Sequence, residues 1–305
     1  MRVLFIGQAP FGRESLEALL SQGEHVVGVI TAEDVPNQKF PNPVKECALE
    51  HGIKLYQANY YKTPEAISWV EQLQPDLLVL SFVTAFIPQK MIDLARLGGI
   101  NYHPSLLPKY RGGSAINWAI INGEIETGVT IHFIDEGVDT GPIVLQEKVT
   151  IGPDDTVKSV YFEKLYPLGI KMLAKAVRLI REDHAQTLIQ DEAKASFQPV
   201  ITSKDTGIDW SQSTRQIYNL IRGANPSPGA VTSLKEKSCK LFDAATGAEN
   251  GSPGMVVSMN DDSFSIATGD GSITVYSAQI TGQKKQPALA FAQQIELKVG
   301  DQFGT

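Results

Sequence analysis

The stretch NYHPSLLPKYRGGSAINW at 101–118 carries one of only five histidines in the chain. An imidazole changes charge near neutral pH, so His103 can take or give a proton, or donate to an oxygen that becomes anionic. Pro104 and Pro108 stiffen the loop around it, fixing geometry before any reaction begins. Asn101 lies two residues earlier, on the same side of an extended chain. Its amide could therefore converge with the imidazole on one carbonyl oxygen. Further on, IDEGVDTG at 134–141 places Asp135 and Asp139 in a Gly-flanked bend, where either could orient an imidazole or carry a proton. Each residue also has a plainer reading. A histidine at a strand end is often a satisfied polar group, and acids in such bends commonly cap the backbone. His25, His51, His132 and His184 read as surface or strand-face residues; His132, alternating with Thr130 and Ile134, is expected on an exposed sheet face. No histidine or cysteine spacing suggests a metal site, and no G-x-S-x-G marks a serine nucleophile.

These groups need a scaffold. RVLFI at 2–6 reads as a strand, followed by a turn at Gly7 and a helix that stops at Gly23. HVVGVIT at 25–31 is a second strand, and PVKECALEHGI at 43–53 is a helix with Pro at its start and Gly at its end. A short strand KLYQ precedes a helix over 63–74 with Thr63 as N-cap candidate. DLLVLSF at 76–82 is a continuous apolar run, as in a strand covered on both faces. A helix over 88–98 is followed by GINYH, which leads into the histidine loop, with His103 just after a predicted strand end. Strands alternating with helices at this spacing predict a parallel, doubly wound α/β sheet of Rossmann-like type. The pattern then changes: a helix at 114–124, two strands at 128–135 and 141–151, and a long amphipathic helix that Pro167 should kink. After about residue 200 a helix, with Asp209 or Ser211 as cap candidates, precedes only short strand-like pieces separated by Gly, Asn and Asp. These predict a small β-barrel of OB-like type. The expected organisation is an α/β domain over 1–203 and a C-terminal β-barrel domain over 204–305.

Composition fits a globular chain of one or two domains, with 305 residues, 42% of them hydrophobic and 20% charged. The apolar run VLFI is too short for a signal peptide and no segment reaches membrane-span length. With Cys47 and Cys239 as the only cysteines, a cytoplasmic protein with reduced thiols is expected. The net charge of −7 argues mildly against a large nucleic-acid footprint. GQAPFG at 7–12 lacks the middle glycine of a dinucleotide fingerprint, and no acid closes the second strand, so a tight turn is the better reading.

Three motifs in order add what single residues cannot: N-x-H-x-S-L-L-P-x-x-R-G at 101–112, E-T-G-V-T at 126–130 and D-x-G-x-D-T-G at 135–141. Together they resemble the family of formyltransferases that use 10-formyltetrahydrofolate. IDWSQSTRQIYNLIRGANPSPGA at 208–230 is similar to the linker and opening of the C-terminal domain of the methionyl-tRNA formyltransferase branch, whose barrel the β-rich remainder also resembles. HPSLLPKYRGGSAINW, FIP at 86–88 and the segment from DDTV to VRLI look closer still to the hydrolase domain of 10-formyltetrahydrofolate dehydrogenase. The resemblance implies Asn101, His103 and Asp139 as the catalytic set, without a metal. It implies folate contacts from Ala85, Phe86 and Ile87 and from Ser105, Leu106, Leu107 and Pro108.

The resemblance leaves three acceptors open: the amine of methionyl-tRNA, a small amine such as an amino sugar or ornithine derivative, or water. Architecture favours charged initiator tRNA. Charge speaks against it, because residues 201–305 hold nine Lys and Arg against ten Asp and Glu, whereas phosphate contact rewards a basic surface. The loop TAEDVPNQKFPNPVK is also poor in cations where the tRNA enzymes tend to be basic, leaving Lys284 and Lys285 as candidates for phosphate contact. The dehydrogenase's hydrolase domain has an aliphatic residue at the position of Asn101, so an asparagine here tilts the balance from hydrolysis to transfer.

Overall fold

The computed structural model describes residues 1–37 and 39–304; Gln38, within the cation-poor loop, and Thr305 lie outside the described residues. Chain packing separates two compact units: one of residues 1–111, 128–149 and 164–197, the other of 112–127, 150–163 and 198–305. Residues 112–127, 150–163 and 198–203, all of which precede residue 204, are thus part of the second unit.

In the first unit the alternation takes the form β1 (Arg2–Gly7), α1 (Ala9–Ser21), β2 (His25–Thr31), α2 (Pro43–Glu50), β3 (Leu55–Gln57), α3 (Pro64–Leu73), β4 (Leu77–Ser81), α4 (Gln89–Ile92) and β5 (Gly99–His103). After α5 (Ala115–Ile121), a segment of the second unit, come β6 (Glu126–Phe133) and β7 (Ile143–Thr150). The seven strands form one sheet in the order β3-β2-β1-β4-β5-β6-β7. Pairings from β3 to β5 are parallel, and β6 runs antiparallel to β5. The continuous apolar runs have the burial expected of covered strands: every residue of β4 is buried, and so is all of β1 except Arg2. Asn42 caps α2, its side chain accepting from the backbone N–H of Val44 and Lys45, and Thr63 caps α3 by accepting from Ala66 N–H.

The turn after β1 is built on close packing. A Cβ on Gly7 would lie 2.4 Å from the Phe5 ring, and one on Gly12 would lie 2.9 Å from Val44 and 3.1 Å from the Gly7 backbone. Gly12 thus lets α1 approach the end of β1, while Gly7 makes room for the Phe5 ring beside it. The helix expected over 88–98 is cut to Gln89–Ile92. Beyond it, backbone bonds such as Ala95 N–H to Ile92 and Gly98 N–H to Ala95 close tight three-residue turns. The long amphipathic segment contains a π-helical stretch, Val160–Leu165, immediately before α6 (Tyr166–Arg181). Pro167 falls in the first turn of α6, where its missing N–H costs little. Among the described residues no helix is long and apolar enough to cross a membrane. Burial pushes the thiols of Cys47 and Cys239 up to about 11, so neither is a ready nucleophile.

The second unit centres on α7 (Thr214–Gly223) and eight short strands. Ser213, not Asp209 or Ser211, caps α7, in a reciprocal box with Gln216; the Asp209 carboxylate instead accepts from Ser211. α7 packs on α5, where the Asn117 amide donates to Gly223 O at 2.8 Å. The strands are β8 (Ala230–Leu234), β9 (Lys237–Leu241), β10 (Ala244–Gly247), β11 (Val256–Met259), β12 (Phe264–Ala267), β13 (Ser272–Val275), β14 (Ser277–Ile280) and β15 (Gln286–Pro287), followed by α8 (Ala288–Gln294). They form two four-stranded antiparallel sheets, β8-β9-β14-β15 and β10-β13-β12-β11. One core fills the space they enclose, with Phe264 stacked between Phe291 and Phe303 at 6.0 and 6.1 Å. The fold is thus a Rossmann-like α/β unit and a compact β-rich unit.

Candidate active site

β5 ends where ligands of open α/β sheets bind, at the carboxyl edge. Asn101 and His103 alternate onto one face of it. The antiparallel register sets His132 opposite Asn101 and Thr130 opposite His103, so four polar side chains share a single patch of sheet. Asp139 reaches this patch from the loop between β6 and β7. Its Oδ2 lies 3.3 Å from His103 Nδ1, and its Oδ1 lies 3.3 Å from His132 Nε2 and 3.4 Å from Asn101 Nδ2. Asp139 adopts φ 56°, in the left-handed region that aspartate tolerates better than most residues.

The hydrogen bonds assign roles to ring nitrogens. His103 Nε2 lies 2.8 Å from the backbone oxygen of Tyr110, so it carries a proton and donates it there. Tyr110 holds φ 59°, a strained conformation for an aromatic residue. The neutral ring therefore leaves Nδ1, facing Asp139, as the atom that can gain a proton. His103 is 5% exposed. Burial holds its pKa below the ordinary value, opposed by the Asp139 carboxylate and the Tyr110 carbonyl, which favour the charged form. Asn101 touches Asp139 and His132 Nε2 only at 3.4 Å, the outer edge of hydrogen bonding. Its amide can turn toward an incoming carbonyl oxygen at small cost.

His132 corrects a sequence expectation. It is 2% exposed rather than on an open face, because Asn101 beside it and Asp139 from the following loop cover it, at 3.4 and 3.3 Å from Nε2. Its Nδ1 donates to Phe133 O at 2.8 Å, leaving Nε2 as an acceptor beside Asn101. The signal was present as a second polar alternation, T-x-H, which acquires meaning only when set against N-x-H in register. Asp135, the other candidate acid, is engaged within its own loop: Oδ1 accepts from Gly137 N–H at 3.1 Å and from the Thr140 hydroxyl at 2.5 Å.

The SLLP loop is held by two residues that sequence reasoning missed. Thr130 Oγ1 donates to Ser105 O at 2.7 Å, and Gln146 Nε2 donates to Leu107 O at 2.8 Å and to Thr130 Oγ1 at 2.9 Å. Ser105 is fully buried and its hydroxyl donates to Lys109 O. Leu107 is buried, while Leu106 and Pro108 are half-buried. Leu106 presses on Gly128, where a Cβ would come within 2.5 Å of it. Ala85, Phe86 and Ile87 follow β4: Ile87 is buried, Ala85 half-buried, and Phe86 56% exposed with Lys62 Nζ 5.6 Å from its ring centroid. Phe82, 40% exposed, adds a second aromatic to this loop.

Comparison with known proteins agrees with this architecture. The family described as "Formyl transferase" matches residues 1–177, and "Formyl transferase, C-terminal domain" matches 200–296. The chain is 36% identical to a methionyl-tRNA formyltransferase of Citrifermentans bemidjiense, over all of this chain and 96% of that protein. It is 35% identical to one of Geobacter metallireducens, over all of this chain and 99% of that protein. The crystal structure of HypX from Aquifex aeolicus in complex with tetrahydrofolic acid shares the fold, at a TM-score of 0.70 and 22% identity. It covers 98% of this chain, which spans about half, 48%, of HypX. The chain belongs to the formyl transferase family and is an enzyme of that class.

Proposed function

We propose that the enzyme moves a formyl group from 10-formyltetrahydrofolate to the amine of methionyl-tRNA, in the cytoplasm, with Asn101, His103 and Asp139 doing the chemistry on the domain of residues 1–203. The observation that carries the chemistry is that the Asp139 carboxylate, from a loop further along the chain, comes within 3.3 Å of the His103 imidazole and 3.4 Å of the Asn101 amide. Full-length similarity to methionyl-tRNA formyltransferases supports the acceptor.

The folate donor supplies the formyl carbon and a nitrogen that must be protonated as it leaves. Large apolar side chains left exposed beside the site, Phe82 and Phe86, suit a flat ring system, as does the braced Leu106 surface. Ala85, Phe86 and Ile87 with the SLLP loop, Ser105 to Pro108, would hold it. Attack by the amine makes its nitrogen positive and the formyl oxygen negative. The Asn101 amide donates to that oxygen. The Asp139 carboxylate receives the proton from the attacking nitrogen, and His103 Nδ1 shares it. The same pair returns the proton to the folate nitrogen as the old carbon–nitrogen bond breaks. The β-rich domain of residues 204–305 would hold the tRNA.

The test supplies the donor with charged initiator tRNA, with a panel of amino sugars and ornithine derivatives, or with buffer alone. Rapid donor consumption only with the charged tRNA is expected. Equal consumption in buffer would make the enzyme a hydrolase, and consumption with a small amine would replace the acceptor.

A further inference from the structure

Asp139 depends on more than its own loop. Gln190, 6% exposed and from a segment remote in sequence, donates through Nε2 to the backbone oxygens of Asp139 and Gly141, each at 2.8 Å. Its Oε1 accepts from Arg111 Nε at 3.1 Å and Nη2 at 2.9 Å. Arg111, also 6% exposed, forks onto Glu192 with Nη1 at 2.9 Å and Nη2 at 2.6 Å. The Gln190 segment is itself tied to the start of β7 by paired backbone bonds between Ile143 and Leu188 at 2.8 and 2.9 Å. The amide is therefore fully committed: two donor hydrogens to two carbonyls, one oxygen to a buried guanidinium.

This arrangement has a specific consequence for Asp139. A residue in the left-handed region is held there only when its surroundings over-determine it. On the far side the backbone packs closely at Gly141, where a Cβ would fall 1.9 Å from Phe133 O and only glycine fits. The bridge across both carbonyls fixes the Asp139–Thr140 and Gly141–Pro142 peptide planes, and the first of these sets the direction in which the Asp139 side chain leaves the backbone. We infer that Gln190, locked by Arg111 and Glu192, is a positioning residue for formyl transfer that acts through Asp139. The inference rests on the proposed role of Asp139.

The test is a double-mutant cycle on the full-length enzyme, with kcat, KM for each substrate and thermal melting measured for D139A, Q190A, Q190E and the D139A/Q190A pair. Q190E keeps the length and the acceptor for Arg111 but removes the two donor hydrogens. Displacing a catalytic group by about an ångström can cost up to about a hundredfold in rate, so folded Q190A and Q190E should lose at least about tenfold in kcat with KM little changed. In the D139A background Q190A should cost nothing further. An equal loss in both backgrounds, an unchanged kcat in either folded single variant, or failure of both to fold would overturn the positioning role. Near-normal kcat in D139A would instead remove the role of Asp139 itself, a result distinct from any of these.

Discussion

His132 stands directly opposite Asn101 on the neighbouring antiparallel strand, and both side chains reach the same Asp139 oxygen, at 3.3 and 3.4 Å. His132 Nε2 is an acceptor in this pair, because Nδ1–H is already given to Phe133 O. It steadies the Asn101 amide without competing for the substrate oxygen. His132→Phe keeps the ring volume and removes the acceptor. We expect kcat to fall roughly tenfold through loss of alignment with the fold retained by circular dichroism. Wild-type kcat would show that Asn101 needs no such neighbour.

Asn101→Ile removes the oxyanion donor and places an aliphatic side chain beside His103. Transfer should slow by about 10²-fold, and a larger share of the donor should appear as free formate. The check is the ratio of formylated product to formate at matched donor turnover. An unchanged ratio counts against the assigned role.

Burial depresses the His103 pKa in the folded protein, so the unfolded chain binds more protons in mildly acidic solution. The stability gained by keeping this ring neutral is complete above the unfolded value of about 6.5 and is lost as pH falls toward the folded pKa. The slope can reach about 1.4 kcal/mol per pH unit for one proton. Urea unfolding at pH 7.5 and 5.5 should therefore show wild type losing more stability on acidification than His103→Asn. Equal losses would mean that the ring is not held neutral.

Binding of charged tRNA should weaken as salt rises, since released counterions drive phosphate contact. The structure narrows the candidate contacts. Lys285 pairs with Asp243 at 2.7 Å and lies over the Phe242 ring, so Lys284 is the better candidate of the two. Lys284→Ala should lower both affinity and the slope of log K against log salt. A flat salt dependence in wild type would take tRNA off the list of acceptors.

The legible parts of this molecule are those where local pattern and burial agree. HVVGVIT has the bounds expected of it, because an apolar run in a covered sheet leaves few alternatives. His103 at a strand end was visible for the same reason. The burial of His132 departs from its alternating pattern because the Asp139 loop and Asn101 cover that face, a contact absent from a window of alternating residues. Asp135 and Asp139 looked equivalent. What separates them is that Asp135 closes its own turn while Gln190, far along the chain, aims the other. The α7 cap moved to Ser213 because Gln216 completes a reciprocal pair there, and the shortened α4 reflects three-residue turns that apolar spacing cannot distinguish from helix.

Single-turnover formation of formyl-methionyl-tRNA by Asp139→Asn, with donor binding and melting temperature measured alongside, most directly tests whether this carboxylate moves the proton. The account predicts a rate lower by at least about 10²-fold, with donor binding and melting close to wild type. A single-turnover rate equal to that of wild type would contradict it.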